Sequence, residues 1–298
     1  MSTDPPLPLA TLVRDELTQP VLPDVSVMAR AIAAKHGAAS RAVLFYGSCL
    51  REARLDGLML DFYLIVSDYP AAYDRRWLAS ANRLIPPNVF PFALGELAAK
   101  YAVLSEADFH RLCGPETRNV SVWARFAQPT RLVWSSDDAA AARAIAAVTR
   151  AAPTLLGTAL PLVGDSADPF AVWRCAFTLT YSAELRAERA GRPDAVVDAD
   201  PGRYRRFADA ALALARPEAE TPDKARRIWA RRRREGKALT VLRLAKASLT
   251  FAGGIDYLAW KVNRHAGTAI TIKPWQRRWP LLAALVLLPK LLGSGAVK

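Results

Sequence analysis

Phe45-Tyr46-Gly47-Ser48-Cys49-Leu50-Arg51-Glu52, followed shortly by Met59-Leu60-Asp61-Phe62-Tyr63-Leu64-Ile65-Val66, decides how this chain is read. Ala42 to Tyr46 is an apolar run that stops at Gly47-Ser48, the pattern of a buried strand entering a turn. Met59 to Val66 has the composition of a second strand, and Asp61 stands inside it. An unpaired carboxylate there would cost several kcal/mol of desolvation. Asp61 must therefore be paired, protonated or bound to a cation.

A divalent ion suits a strand carboxylate that faces a phosphate-binding loop. On that reading Gly47 lets the backbone approach a triphosphate, while the Ser48 hydroxyl and nearby amides donate to phosphate oxygens. Asp61 holds Mg2+, which neutralises charge as pyrophosphate departs. Asp56, in the loop before the second strand, is the expected second ligand, with Glu52 and Asp68 as alternatives. The same residues have a plainer reading, a tight turn beside an aspartate paired with an arginine. Strand, Gly-Ser loop and strand aspartate together resemble the polymerase-β-like nucleotidyltransferase fold. Many of its members carry two aspartates one residue apart on the second strand, whereas the same-face neighbours of Asp61 are Met59 and Tyr63.

Outward from this segment, Leu12 to Leu17 and Val25 to His36 read as helices. Tyr101 to Leu104 and Thr130 to Trp134 read as later strands. Ser135-Ser136-Asp137-Asp138 opens an alanine-rich helix running to Ala151. Beyond it the pattern is helical, with capped starts at Asp168-Pro169 and Asp200-Pro201 and breaks at Gly191-Arg192-Pro193 and between Arg216 and Pro222. The expected organisation is an α/β (α+β) nucleotidyltransferase-type domain over 1–155, a helical, winged-helix-like second domain over 156–265, and a C-terminal amphipathic tail over 266–298.

The chain has 298 residues, 52% of them hydrophobic, and a net charge of +13. Such a balance excludes wholesale disorder and implies anionic partners. Cys49, Cys113 and Cys175 are odd in number and widely spaced, which argues against a disulfide framework and for a reducing compartment. The N-terminus shows neither a secretory nor a transit pattern. His36, His110 and His265 are scattered and read as structural or surface residues.

Several segments, in order, resemble the mitochondrial-type CDP-diacylglycerol synthase family (phosphatidate cytidylyltransferases). Phe45-Tyr46-Gly47-Ser48 is similar to its Tyr-Gly-Ser loop, and Met59-Leu60-Asp61-Phe62 to its single-aspartate second strand. Lys100-Tyr101-Ala102-Val103 is similar to a Lys-Tyr-Gly-Val element, and Trp123 to Pro129 to a Gly-Arg-Leu-His-Lys-Pro segment. Leu179 to Arg186 is similar to a Ser-Tyr-Ser-Gly-Asp-hydrophobic-Arg motif, and Ala245 to Lys261 to a C-terminal region. Cys49 replaces a family glycine, a glutamine near Glu52 is absent, and Gln128 replaces a lysine.

The resemblance implies CTP:phosphatidate cytidylyltransferase activity, giving CDP-diacylglycerol and pyrophosphate in phospholipid and cardiolipin synthesis. It gives Lys100 and Arg125 the role of contacting CTP phosphates or the phosphatidate headgroup. The plainer role for Lys100 is at a helix end, and for Tyr181, Glu184 and Arg186 an interdomain packing and ion-pair cluster. The alternatives are a nucleotidyltransferase with another acceptor, or a degenerate fold that only binds membrane or nucleic acid.

Lys224 to Arg234 is densely basic around Trp229, a composition that suits nucleic acid or anionic lipid. The tail decides for lipid. Trp275, Arg277, Arg278 and Trp279 precede the apolar run Pro280 to Leu288, which Pro289 and Lys290 end far short of the ~20 residues of a spanning helix. An interfacial anchor follows, with Arg231, Arg232, Arg233, Arg234, Trp275 and Trp279 contacting the membrane. Nucleic acid is not the expected partner. The expected location is peripheral, on a cytoplasmic or matrix-equivalent membrane face.

Overall fold

Five strands form one mixed sheet: β1 (Ser40–Tyr46), β2 (Met59–Val66), β3 (Asn88–Leu94), β4 (Leu97–Ser105) and β5 (Thr130–Ser135), in the order β3-β4-β2-β1-β5. The computed structural model describes residues 7–51, 55, 57–164, 168–184, 192–250, 271–274 and 276. β1 pairs antiparallel with β2 and β5, β2 runs parallel to β4, and β3 returns antiparallel on β4. Twelve helices are described: α1 (Leu9–Leu17), α2 (Pro23–Ala34), α3 (Tyr69–Ala72), α4 (Arg76–Leu84), α5 (Glu106–Cys113), α6 (Trp123–Phe126), α7 (Asp138–Thr149), α8 (Ala151–Val163), α9 (Pro169–Ala183), α10 (Arg192–Asp198), α11 (Pro201–Leu214) and α12 (Pro222–Thr250).

The two-residue side-chain period sorts each central strand between two cores. Leu60, Phe62, Leu64 and Val66 pack with Val43, Phe45 and the inner face of α2. Tyr63 and Ile65 join Leu44, Ala102 and Leu104 on the other face, in a core that continues into α8, α9 and α11. Helix starts follow the capping chemistry. Asp68, Ser105, Asp137, Asp168 and Asp200 each accept a hydrogen bond from a backbone N–H of the turn that follows.

The mixed α/β architecture matches the sequence expectation, and past β5 the described residues form no further strand. Residue 155, the expected domain boundary, lies inside α8, and the core is continuous across it. β3 was not legible in the sequence because Pro91 interrupts it. A proline is tolerated there because β3 is an edge strand. Helices α7 and α8 together are long and apolar enough to cross a membrane by length and composition, but 56% of the apolar window is buried inside the protein. Most of the tail, with Trp275 and Trp279, the loop residue Asp56, and His265 lie outside the described residues.

Candidate active site

A single row of residues crosses the whole sheet. Thr130 of β5 pairs with Tyr46 of β1, Tyr46 with Asp61 of β2, Asp61 with Lys100 of β4, and Lys100 with Pro91 of β3. Paired residues share a face, so Tyr46, Asp61 and Lys100 look toward the layer formed by α6 and α9. Local sequence explains the opening. Tyr46 is the last residue of β1, and Gly47 turns the chain at φ 98° into a short 3-10 turn over Ser48–Arg51. Few side chains tolerate that backbone conformation. A Cβ at Gly47 would also sit 3.4 Å from Asp61 Oδ2, so glycine keeps space in front of the carboxylate. Gly47 and Ser48 are exposed, where an incoming ligand can reach them.

Asp61 is not enclosed in the strand as its apolar neighbours implied. Its side chain is 24% exposed, as is that of Lys100. Oδ1 itself is buried, and its described partner is the Lys100 ammonium at 2.8 Å, a charge contact without the alignment of a hydrogen bond. The carboxylate is thus compensated by lysine on one oxygen and faces the Gly47 turn with the other.

Arg125, at the end of α6, closes the row from above. Its Nη1 donates to the Tyr63 hydroxyl at 3.0 Å and to the Ser121 carbonyl at 2.9 Å. The guanidinium lies over the Tyr46 ring at 5.2 Å and the Tyr63 ring at 5.8 Å. Such stacking is worth about 0.5–2 kcal/mol and fixes the plane of the guanidinium. Burial pulls its pKa down, but Tyr63, Tyr46, Glu184 and Asp61 together hold it above the ordinary arginine value. Burial, aided by the Asp61 charge, keeps Tyr46 a neutral phenol.

Two further residues take part, of which Arg243 was not singled out from sequence as a site residue. Arg243 of α12 donates from Nη1 to Ser121 Oγ at 2.9 Å and from Nε to the Pro86 carbonyl at 2.8 Å. Burial and the nearby Arg125 lower its pKa, against the opposing pull of Tyr63 and Glu184. Glu184, just past α9, acts electrostatically on both arginines. The sequence reading placed it in a packing and ion-pair cluster, and the charges it acts on are these two arginines. Three cations, Lys100, Arg125 and Arg243, therefore face two carboxylates, Asp61 and Glu184. The excess positive charge suits an anion.

Among the described residues no three His, Cys, Asp or Glu side chains converge as a cage. Mg2+ needs no such cage, because it keeps several waters and takes one or two carboxylates plus substrate phosphates. Asp61 fits that limited role through the oxygen facing Gly47, so the ion would be carried mainly by a triphosphate.

The surface residues divide. Arg231 is exposed and pairs with Glu235 at 2.5 Å, Arg234 is exposed, and Arg233 is half-buried. Arg232 is internal, which corrects its assignment to a membrane face. It is 4% exposed, donates to both Glu218 carboxylate oxygens at 2.6 Å, and lies over Trp229. At helical spacing one of four consecutive arginines must turn inward, and here a carboxylate receives it.

No protein-family model matches this chain, and no curated protein matches it either.

Proposed function

We propose that the chain is a CTP:phosphatidate cytidylyltransferase of polymerase-β-like nucleotidyltransferase fold. The observation that carries the reading is Asp61 facing a positive-φ glycine at the end of β1, with Lys100 and Arg125 on either side. The triphosphate would lie along the Gly47–Ser48 turn, its oxygens taking hydrogen bonds from Ser48 and from backbone amides. Bound magnesium would supply charge neutralisation on the phosphates, with Asp61 as the protein ligand. Arg125, held flat by two tyrosine rings, presents a fixed fork to a phosphate, and Lys100 a point charge. A phosphatidate oxygen displaces pyrophosphate at the α-phosphorus. No protein nucleophile is needed, and the residues act by orientation and electrostatics.

One observation favours a second reading. Asp61 already has an ammonium partner, and no group of three His, Cys, Asp or Glu side chains gathers there among the described residues. A degenerate fold that binds phosphate without turnover would look the same. Pyrophosphate release separates the two. Purified protein with magnesium should release pyrophosphate only when both CTP and detergent-dispersed phosphatidate are present. Release with another lipid in place of phosphatidate would overturn the acceptor. No release with any acceptor, despite CTP binding, would establish the degenerate reading.

A further inference from the structure

Helix α4 has an inner side and an outward face of different character. Its inner side is firmly anchored. Asn82 donates to the Val103 carbonyl at 2.9 Å and accepts from the Asn88 backbone, while the Asn88 side chain donates to the Leu78 carbonyl at 3.0 Å. Ala79 is buried with Asn82. Seven residues apart on the outer side stand Trp77, 43% exposed, and Leu84, 79% exposed. That spacing places both on one face. A single exposed leucine is ordinary, but this one has company. Leu242 of α12 is 51% exposed, and the neighbouring Arg243 and Lys246 donate to the carbonyls of Ile85, Pro86 and Pro87, the residues that follow Leu84. Arg75, Arg76 and Arg83 flank the apolar residues, all exposed. In sequence Asp74 precedes them, and Arg75 through Pro87 contains no acid.

We infer that the α4 face, with Leu242, seats on an anionic membrane surface. A tryptophan and leucines ringed by arginines match the boundary between headgroups and acyl chains. Charge complementarity selects lipid phosphates, since α4 and its flanking residues from Arg75 to Pro87 carry three arginines and no acid. The anchored inner side makes α4 a rigid platform. The Pro86 carbonyl, Arg243, Ser121 and Arg125 then form a chain of hydrogen bonds from that platform to the candidate site. Ala79 joins the core of Phe62, Leu64 and Val103, on the sheet face opposite Asp61, so the seated face is an anchor separate from the candidate site.

The test uses the full chain and phosphatidylglycerol–phosphatidylcholine vesicles without nucleotide. Trp77→Ser/Leu84→Ser should lower vesicle co-sedimentation about tenfold, with an unchanged thermal midpoint because both side chains are exposed. An environment-sensitive dye on Leu84→Cys should shift blue with acidic vesicles and not with pure phosphatidylcholine. Wild-type sedimentation by the double variant would overturn the inference and leave the tail as the anchor. A dye shift on concentrating the protein without vesicles would overturn it in favour of self-association. With water-soluble short-chain phosphatidate the double variant should turn over like the wild type. A wild-type chain inactive on that substrate would sink the proposed reaction while leaving the vesicle result standing.

Discussion

Asp61 lies between an ammonium on one oxygen and an open glycine turn on the other. Its removal should therefore separate chemistry from stability. Asp61→Asn keeps the shape and releases Lys100, which is exposed enough to be solvated. Losing a partly exposed ion pair costs about 0–1 kcal/mol. Losing the carboxylate that positions the phosphates should lower turnover at least about 100-fold. Steady-state rates and urea midpoints check both halves, and a variant keeping a tenth of wild-type turnover would remove Asp61 from the mechanism. At this scale much was legible: a carboxylate in an apolar strand after a Gly-Ser turn is visible in the chain. Its lysine partner was not seen as such, because Asp61 and Lys100 meet only through the parallel β2–β4 register. Register between distant strands has no local signal.

Between elements, α12 decides the geometry of the site. Trp229 buries against α6 and α8, with its ring N–H donating to the Thr158 carbonyl at 3.1 Å, and Arg243 reaches Ser121 about four turns further on. Between them Gly236 crosses α9 so closely that a Cβ would stand 2.1 Å from the Ala183 carbonyl oxygen, one residue before Glu184. Gly236→Ala would gain about 1 kcal/mol of helix propensity. The overlap with backbone costs about 1–3 kcal/mol and should win. A lowered melting midpoint together with weaker nucleotide binding is expected; a stabilised variant would show that α12 moves away freely. The crossing was illegible in sequence, where Gly236 is one glycine in a basic helix.

A second junction titrates. His36 Nδ1 lies 2.9 Å from the Ala72 carbonyl and Nε2 lies 3.1 Å from the Tyr101 hydroxyl. The neutral ring satisfies both by donating from Nδ1 and accepting at Nε2. Burial lowers the native pKa below 6.5, the Ala72 bond opposing it. The unfolded chain then takes up the proton first, so stability falls as pH drops below about 6.5 and is unaffected above it. His36→Phe should abolish that acid slope while losing about 1–3 kcal/mol at neutral pH. Urea midpoints between about pH 7.5 and 5 read both.

Across the whole molecule, the sheet separates two cores, and the row Thr130–Tyr46–Asp61–Lys100–Pro91 comes to the surface where the helical layer gives way to charge. The two-residue period and the aspartate and serine caps were readable from sequence because they are local. The edge strand β3 was hidden by Pro91, and the helical layer's share in the site, Glu184 and Arg243, comes only from packing. The central claim is nucleotidyl transfer from CTP to phosphatidate, and the position of a label tests it most directly. The wild-type chain should be given magnesium and phosphatidate with CTP labelled at either the α- or the γ-phosphorus. The α-label should move into organic-soluble lipid and the γ-label into pyrophosphate. Appearance of γ-label in lipid, or of neither label outside CTP, would contradict it.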